Sequence, residues 1–160
     1  MRVLRIVEGT SVDGPGLRTS VYMAGCRHHC PECHNPQSWS MAGGHEASID
    51  ELMSVIAYNE APVTLSGGDP LAQPQSTLEL AKRIKGELGY NIWCYTGYTW
   101  EQIQGDSSLS AIMNYVDTLV DSPFVVAERD TTLRFRGSRN QRVIDVPASL
   151  AQHRVVLLDY

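Results

Sequence analysis

Apolar and polar residues along this chain follow two periods in turn. Thr19-Ser20-Val21-Tyr22-Met23-Ala24 is rich in β-formers and lies between Gly16 and Gly25, which predicts a strand. From Ser48 the period lengthens. Ile49, Leu52, Met53 and Ile56 share one helical face, and Glu51, three residues after Ser48, completes a capping box. Val63-Thr64-Leu65 predicts a second strand, stopped by Gly67-Gly68. A second helix is expected from Ser76, with Glu79 as box partner, a stripe of Leu78, Ala81, Ile84 and Leu88, and Gly89 as its stop. Ile92-Trp93-Cys94-Tyr95 predicts a third strand, closed by Thr96-Gly97. Thr99 with Gln102 opens another helix, and a further turn runs around Leu109, Ile112 and Met113. Val116-Asp117-Thr118-Leu119-Val120 predicts a fourth strand, ending at Asp121-Ser122-Pro123. Beyond Phe124 the pattern weakens, and residues 142–146 and 155–158 read as further strands.

Strands alternating with helices imply βαβ units and a mostly parallel sheet. The 160 residues suit one domain, residues 1–160. A closed eight-fold barrel needs about 200 residues or more. An incomplete β/α barrel or an open doubly wound sheet is therefore expected. The polar and glycine-rich stretches share one position, directly after a strand: residues 25–35, 66–70, 96–98 and 121–123. In parallel α/β folds the carboxyl ends of the strands open on one side, where ligands bind. Four such loops converging there mark a site.

Charge narrows the possible partners. Eighteen acidic against 13 basic residues give a net charge of −5, which argues against nucleic acid, whose phosphates call for clustered Lys and Arg. No apolar stretch approaches the ~18 residues of a membrane-spanning helix. The first eight residues, Met-Arg-Val-Leu-Arg-Ile-Val-Glu, lack the apolar core of a signal peptide, so a cytoplasmic protein is expected.

Of four cysteines, three crowd into eight residues, Cys26-Arg27-His28-His29-Cys30-Pro31-Glu32-Cys33, while Cys94 lies far away. Such clustering points to a metal rather than to a disulfide framework. One irregular loop can aim three thiolates at one centre. Three thiolates can hold a four-iron cluster by three of its irons and leave the fourth open for a substrate. Zinc is the alternative, because His28, His29 and His34 lie beside the loop and a Cys3His site is chemically reasonable. A second alternative makes Cys94 a fourth thiolate. Its place in an apolar strand between Trp93 and Tyr95 fits a small buried hydrophobe better.

The spacing of Cys26, Cys30 and Cys33 resembles the radical S-adenosylmethionine (SAM) signature. The surrounding stretches resemble the glycyl-radical activating enzymes, and most of all the activating branch for anaerobic (class III) ribonucleotide reductase. These stretches are Val12-Asp13-Gly14-Pro15-Gly16-Leu17-Arg18-Thr19, Gly25 through Pro36 with Trp39, Leu65-Ser66-Gly67-Gly68-Asp69-Pro70-Leu71, Ile92-Trp93-Cys94-Tyr95-Thr96-Gly97-Tyr98, and Arg136-Gly137-Ser138-Arg139-Asn140-Gln141-Arg142. The resemblance implies a partial TIM-like barrel of radical SAM type. It also implies a [4Fe–4S] cluster on Cys26, Cys30 and Cys33, SAM contacts from Glu32, Cys33 and His34, and a meeting of Gly67, Gly68 and Asp69 with the methionine amino group. Read as bare residues, Gly67-Gly68 is an ordinary turn and Asp69 a turn or helix-start residue.

The implied partners are the large subunit of anaerobic ribonucleotide reductase, as protein substrate, and an electron donor such as flavodoxin or ferredoxin. Two departures stand out. Many relatives carry an aromatic residue near the adenine where this chain has Glu32, so another group must supply that contact. The reductase-activating branch tends to have Val-Asp-Gly where this chain has Val120-Asp121-Ser122. An activase of a formate-lyase type enzyme uses the same chemistry and is the runner-up. A non-enzymatic iron–sulfur or zinc module would explain the cysteines but not the glycine-rich loops after the later strands.

Overall fold

A computed structural model describes residues 1–160. Its seven strands form one sheet: β1 (Arg2–Thr10), β2 (Arg18–Met23), β3 (His45–Glu46), β4 (Val63–Gly67), β5 (Ile92–Tyr95), β6 (Thr118–Asp121) and β7 (Arg142–Asp145), in the order β3-β1-β2-β4-β5-β6-β7. The four central strands, β2, β4, β5 and β6, run parallel. β1 and β3 on one flank and β7 on the other are antiparallel. The sheet is therefore mixed, parallel at its centre and antiparallel at both edges.

The helices are α1 (Ile49–Asn59), α2 (Pro74–Arg83), α3 (Trp100–Gln104), α4 (Ser107–Met113) and α5 (Val146–Gln152). Two of the three expected capping boxes are present, Ser48 with Glu51 and Thr99 with Gln102; the third, Ser76 with Glu79, does not form, because both residues lie inside α2, whose N-cap is Gln73. α2 departs from expectation. It opens two residues early, because Pro74 at the first turn has its φ already set for a helix and no N–H to satisfy. Its buried stripe is Thr77, Leu80 and Ala81, continued by Ile84 in one π-helical turn that Gly89 ends at φ +69°. Leu78 and Leu88 pack at the margin of the core.

One face of the sheet presents Val21, Met23, Val63, Leu65, Ile92, Cys94, Leu119 and Ile144 to a core shared with all five helices. The opposite face bears no helix. There Trp93, Val120 and Val143 pack with Tyr95, Phe135 and Leu158. Residues 155–158, expected to form a strand, make only an isolated bridge from Leu157 to Ile144. No helix is long and apolar enough to cross a membrane.

Candidate functional site

Because β2, β4, β5 and β6 are adjacent and parallel, the loops that follow them emerge along one edge, as expected. Each is hydrogen-bonded to its neighbour. Gly68 N–H donates to Met23 O at 2.8 Å and Asp69 N–H to Gly25 O at 2.7 Å, joining the loops after β2 and β4. Thr96 N–H reaches Val120 O at 3.0 Å, and Ser122 N–H reaches Tyr98 O at 2.9 Å, joining those after β5 and β6. This ladder continues the sheet past its strands and fixes four irregular segments together.

The cysteine loop leaves β2 through Gly25, which has φ +95°. Gly25 and Cys26 are held by N–H bonds to Ser38 O and Trp39 O, and Cys33 N–H donates to Cys30 O in a tight turn. His29 and Glu32 adopt positive φ, 46° and 56°, so this turn is wound tightly by residues that do not favour it. Cys26, Cys30 and Cys33 are unpaired and only partly buried. Burial raises the Cys26 thiol above its ordinary pKa, while the Asn35 N–H donates to Cys33 Sγ at 3.4 Å. A four-iron cluster takes its thiolates on separate irons, so three from one loop leave the fourth iron open. The donor set fits the cluster. Cys94 faces the helix-side core, fully buried, with its thiol pushed well above the usual range by burial.

The glycines of the next loop serve the chain's own packing. A Cβ on Gly67 would meet Met23 backbone, and one on Gly68 would meet the carbonyls of Gly25 and Ser38. The Gly67 carbonyl already accepts from Asn35 Nδ2 at 3.2 Å. Asp69 is buried, and its carboxylate accepts from Leu71 N–H, from the Thr96 hydroxyl, from Gly97 N–H and from His28 Nε2. It thus binds three loops together, a role its turn-like sequence context did not disclose.

Glu32 and His34 are exposed and open onto a cleft of about 330 Å³, whose other wall includes Phe124, Arg129, Arg136 and Gly137. Phe124 and Arg129 carried no motif signal. Arg136 and Gly137 belong to the segment singled out in the sequence, and Gln141 knits that segment by accepting from Gly137 and Ser138 N–H.

Asp121 is structural. It accepts from Trp100 N–H at 2.8 Å and from the Arg142 guanidinium. Ser122, where the resembling branch tends to have glycine, has φ +77°, a conformation glycine adopts freely. The Asp13-Gly14-Pro15-Gly16 turn lies at the amino ends of the strands, pinned there by buried Arg18, which donates to Thr64 Oγ1, Val63 O and Asn91 Oδ1. Only the Asp13 carboxylate reaches up the helix-free face, where the Ser20 and Tyr22 hydroxyls donate to it.

The model of a 4Fe-4S single cluster domain matches residues 12–144. The chain is 37% identical over 139 residues to the anaerobic ribonucleoside-triphosphate reductase-activating protein of Vibrio cholerae, covering 81% of this chain and 88% of that one. It is 34% identical over 142 residues to the protein of that name from Escherichia coli strain K12, covering 82% and 90%. It is also 41% identical to the pyruvate formate-lyase-activating enzyme of Clostridium pasteurianum, over 81 residues that make 46% of this chain and 34% of that enzyme. With its three-cysteine loop set against glycine-rich strand ends, the chain belongs to the family of anaerobic ribonucleoside-triphosphate reductase-activating proteins.

Proposed function

We propose that this protein is a radical SAM activase that places a glycyl radical on anaerobic ribonucleotide reductase. The observation that carries the reading is the joining of the cysteine loop to the Gly67-Gly68-Asp69 loop at the ends of parallel strands, through Gly25 and His28. Cys26, Cys30 and Cys33 would hold the [4Fe–4S] cluster. Such a cluster would supply the single electron for the reductive cleavage of SAM, the chemistry by which a hydrogen atom would be removed from a glycine of the reductase.

The chain's own groups then position and enclose. Asp69 supplies a carboxylate for the methionine ammonium. Glu32, Cys33 and His34 line the approach to the nucleoside part, and Phe124, across the cleft, supplies the aromatic surface that Glu32 lacks. We read the sheet as an incomplete β/α barrel, residues 1–160 acting as one unit, with the helix-free face as its inner wall. That face is open at its flanks, so the large subunit of the reductase completes the enclosure, and radical chemistry proceeds only where water is excluded. A flavodoxin or ferredoxin type donor supplies the electron.

The test is anaerobic reconstitution, reduction with SAM present, and addition of the reductase large subunit or of a formate-lyase type enzyme. 5′-Deoxyadenosine and a glycyl doublet in the paramagnetic resonance spectrum with the reductase alone are expected. A doublet only with the formate-lyase type enzyme would move the assignment to that class. Air-stable, colourless protein with stoichiometric zinc and no uptake of a cluster would overturn it.

A further inference from the structure

The Asp69 carboxylate is saturated by its own chain. A carboxylate accepts at about four lone-pair positions. Four donors meet them: Leu71 N–H at 2.9 Å, Gly97 N–H at 3.0 Å, the Thr96 hydroxyl at 2.9 Å and His28 Nε2 at 2.8 Å. The Asp69 side chain is 1% exposed, so each position taken by a donor is closed to others. An ammonium can join this carboxylate only if one donor leaves.

The four are not equally free to go. Leu71 and Gly97 donate from main chain, and the latter segment is tied into the loop ladder by Thr96 N–H. Thr96 is buried, and its hydroxyl oxygen also accepts from Tyr98 N–H. His28 is the one donor on the cysteine loop, its side chain is 18% exposed, and its imidazole stands edge-on to Tyr98 with ring centres 4.6 Å apart. It rests on Gly97, where any Cβ would collide with the ring. Rotation of its side chain alone frees one position at Asp69 Oδ2, which keeps the Gly97 N–H and the Thr96 hydroxyl; releasing the main-chain donors requires backbone displacement.

We propose that His28 is a positioning residue that works as an exchangeable latch. It holds the cysteine loop against Asp69, and the methionine ammonium of SAM replaces it at the same carboxylate oxygen. The proposal rests on the reading of Asp69 as ammonium receptor. Because coupling between sites is reciprocal, breaking the latch and binding the cofactor favour one another. A protein whose binding-competent arrangement is only partly populated binds more weakly by that fraction, and removing the latch lifts this penalty.

The test compares SAM affinity by equilibrium dialysis in reconstituted full-length protein of matched iron content. His28→Phe keeps a ring against Tyr98 but cannot donate, and is expected to bind SAM about fivefold more tightly, the worth of one hydrogen bond. His28→Gln donates again and should return to parental affinity. A merely structural His28 would give weaker binding in the Phe variant, and weaker or unchanged binding overturns the latch. The desamino analogue of SAM separates the two levels of the argument. Parent protein binding this analogue as tightly as SAM overturns the Asp69 reading itself, whereas equal binding of the analogue by parent and Phe variant is the expected result. A second measurement needs no variant. SAM should raise the reactivity of His28 in the parent toward diethyl pyrocarbonate, read by peptide mass, and protection by SAM would overturn the proposal even if the Phe variant fails to hold iron.

Discussion

Arg142 closes on Asp121 from the neighbouring antiparallel strand, its Nη2 2.5 Å from Oδ2 and its Nε 3.1 Å from Oδ1. The carboxylate is fully buried, and the same guanidinium extends outward to Glu101 at the start of α3. One side chain thus ties β7 to β6 and to the helix after β5. These hydrogen bonds hold Arg142 firmly in its charged form. Arg142→Ala leaves a buried carboxylate without its counter-charge and should cost about 3 kcal/mol, read from the denaturant midpoint at constant slope. A loss under about 1 kcal/mol would show that Trp100 N–H and the Ser122 hydroxyl satisfy Asp121 without Arg142.

Ser122 should tolerate glycine and reject a branched side chain. At φ +77° a β-branched residue is strained. Ser122→Gly is expected within about 1 kcal/mol of the parent, the relief of strain offsetting the lost hydroxyl, whereas Ser122→Val should lose at least about 2 kcal/mol. Equal stabilities would mean that the loop after β6 relaxes freely.

Gly68→Ala should lower iron content together with SAM binding. The added methyl meets the carbonyls of Gly25 and Ser38, the support from which the cysteine loop departs. Iron analysis after reconstitution checks this, and a variant with full iron and weak SAM binding would instead make Gly68 a contact for SAM alone.

Each of Cys26→Ala, Cys30→Ala and Cys33→Ala should abolish cluster assembly, while Cys94→Ala keeps iron and visible absorption and loses about 1 kcal/mol of stability. Iron loss in Cys94→Ala comparable to Cys30→Ala would count against an open fourth iron.

Tyr22 should ionise late. Burial first, then its hydrogen bond to Asp13, pushes its phenol up to about 12 from 10. The folded-state pKa is raised, so this stabilisation is complete below pH 10 and is lost as pH rises through about 12. Asp13→Asn removes the negative acceptor. Difference absorbance of the phenolate should show one tyrosine titrating earlier in that variant, and superimposable titrations would detach Tyr22 from Asp13.

What the sequence disclosed is what short-range chemistry decides. The Ser48/Glu51 and Thr99/Gln102 boxes and the stop at Gly89 act over a few residues and were legible. Strand Ile92–Tyr95 was read with its bounds intact, because its apolar run is bracketed by polar residues and glycine. β1 was not expected, since of its nine residues only Val3 is buried and its ladder depends on partners elsewhere in the chain. Leu80 was missed because the face that α2 buries is set by its packing against the shared core, which takes Leu80 in full and leaves Leu78 at the margin. At the site, the cysteine spacing and the position of the four loops were readable. The bonds of Asp69 to His28 and to Thr96 span 41 and 27 residues, and no local pattern encodes them. Phe124 and Arg129 enter the cleft only because residues 124–137 fold back beside the cysteine loop.

The order of the strands in the chain has a consequence for biogenesis. Synthesis delivers β1, β2, the cysteine loop and Asp69 well before Arg142 emerges to clasp Asp121. The nascent chain therefore presents three half-sheltered thiols while the far side of the sheet is still missing. Those thiols are thus in the chain, and open to oxidation, before the sheet that positions them is complete.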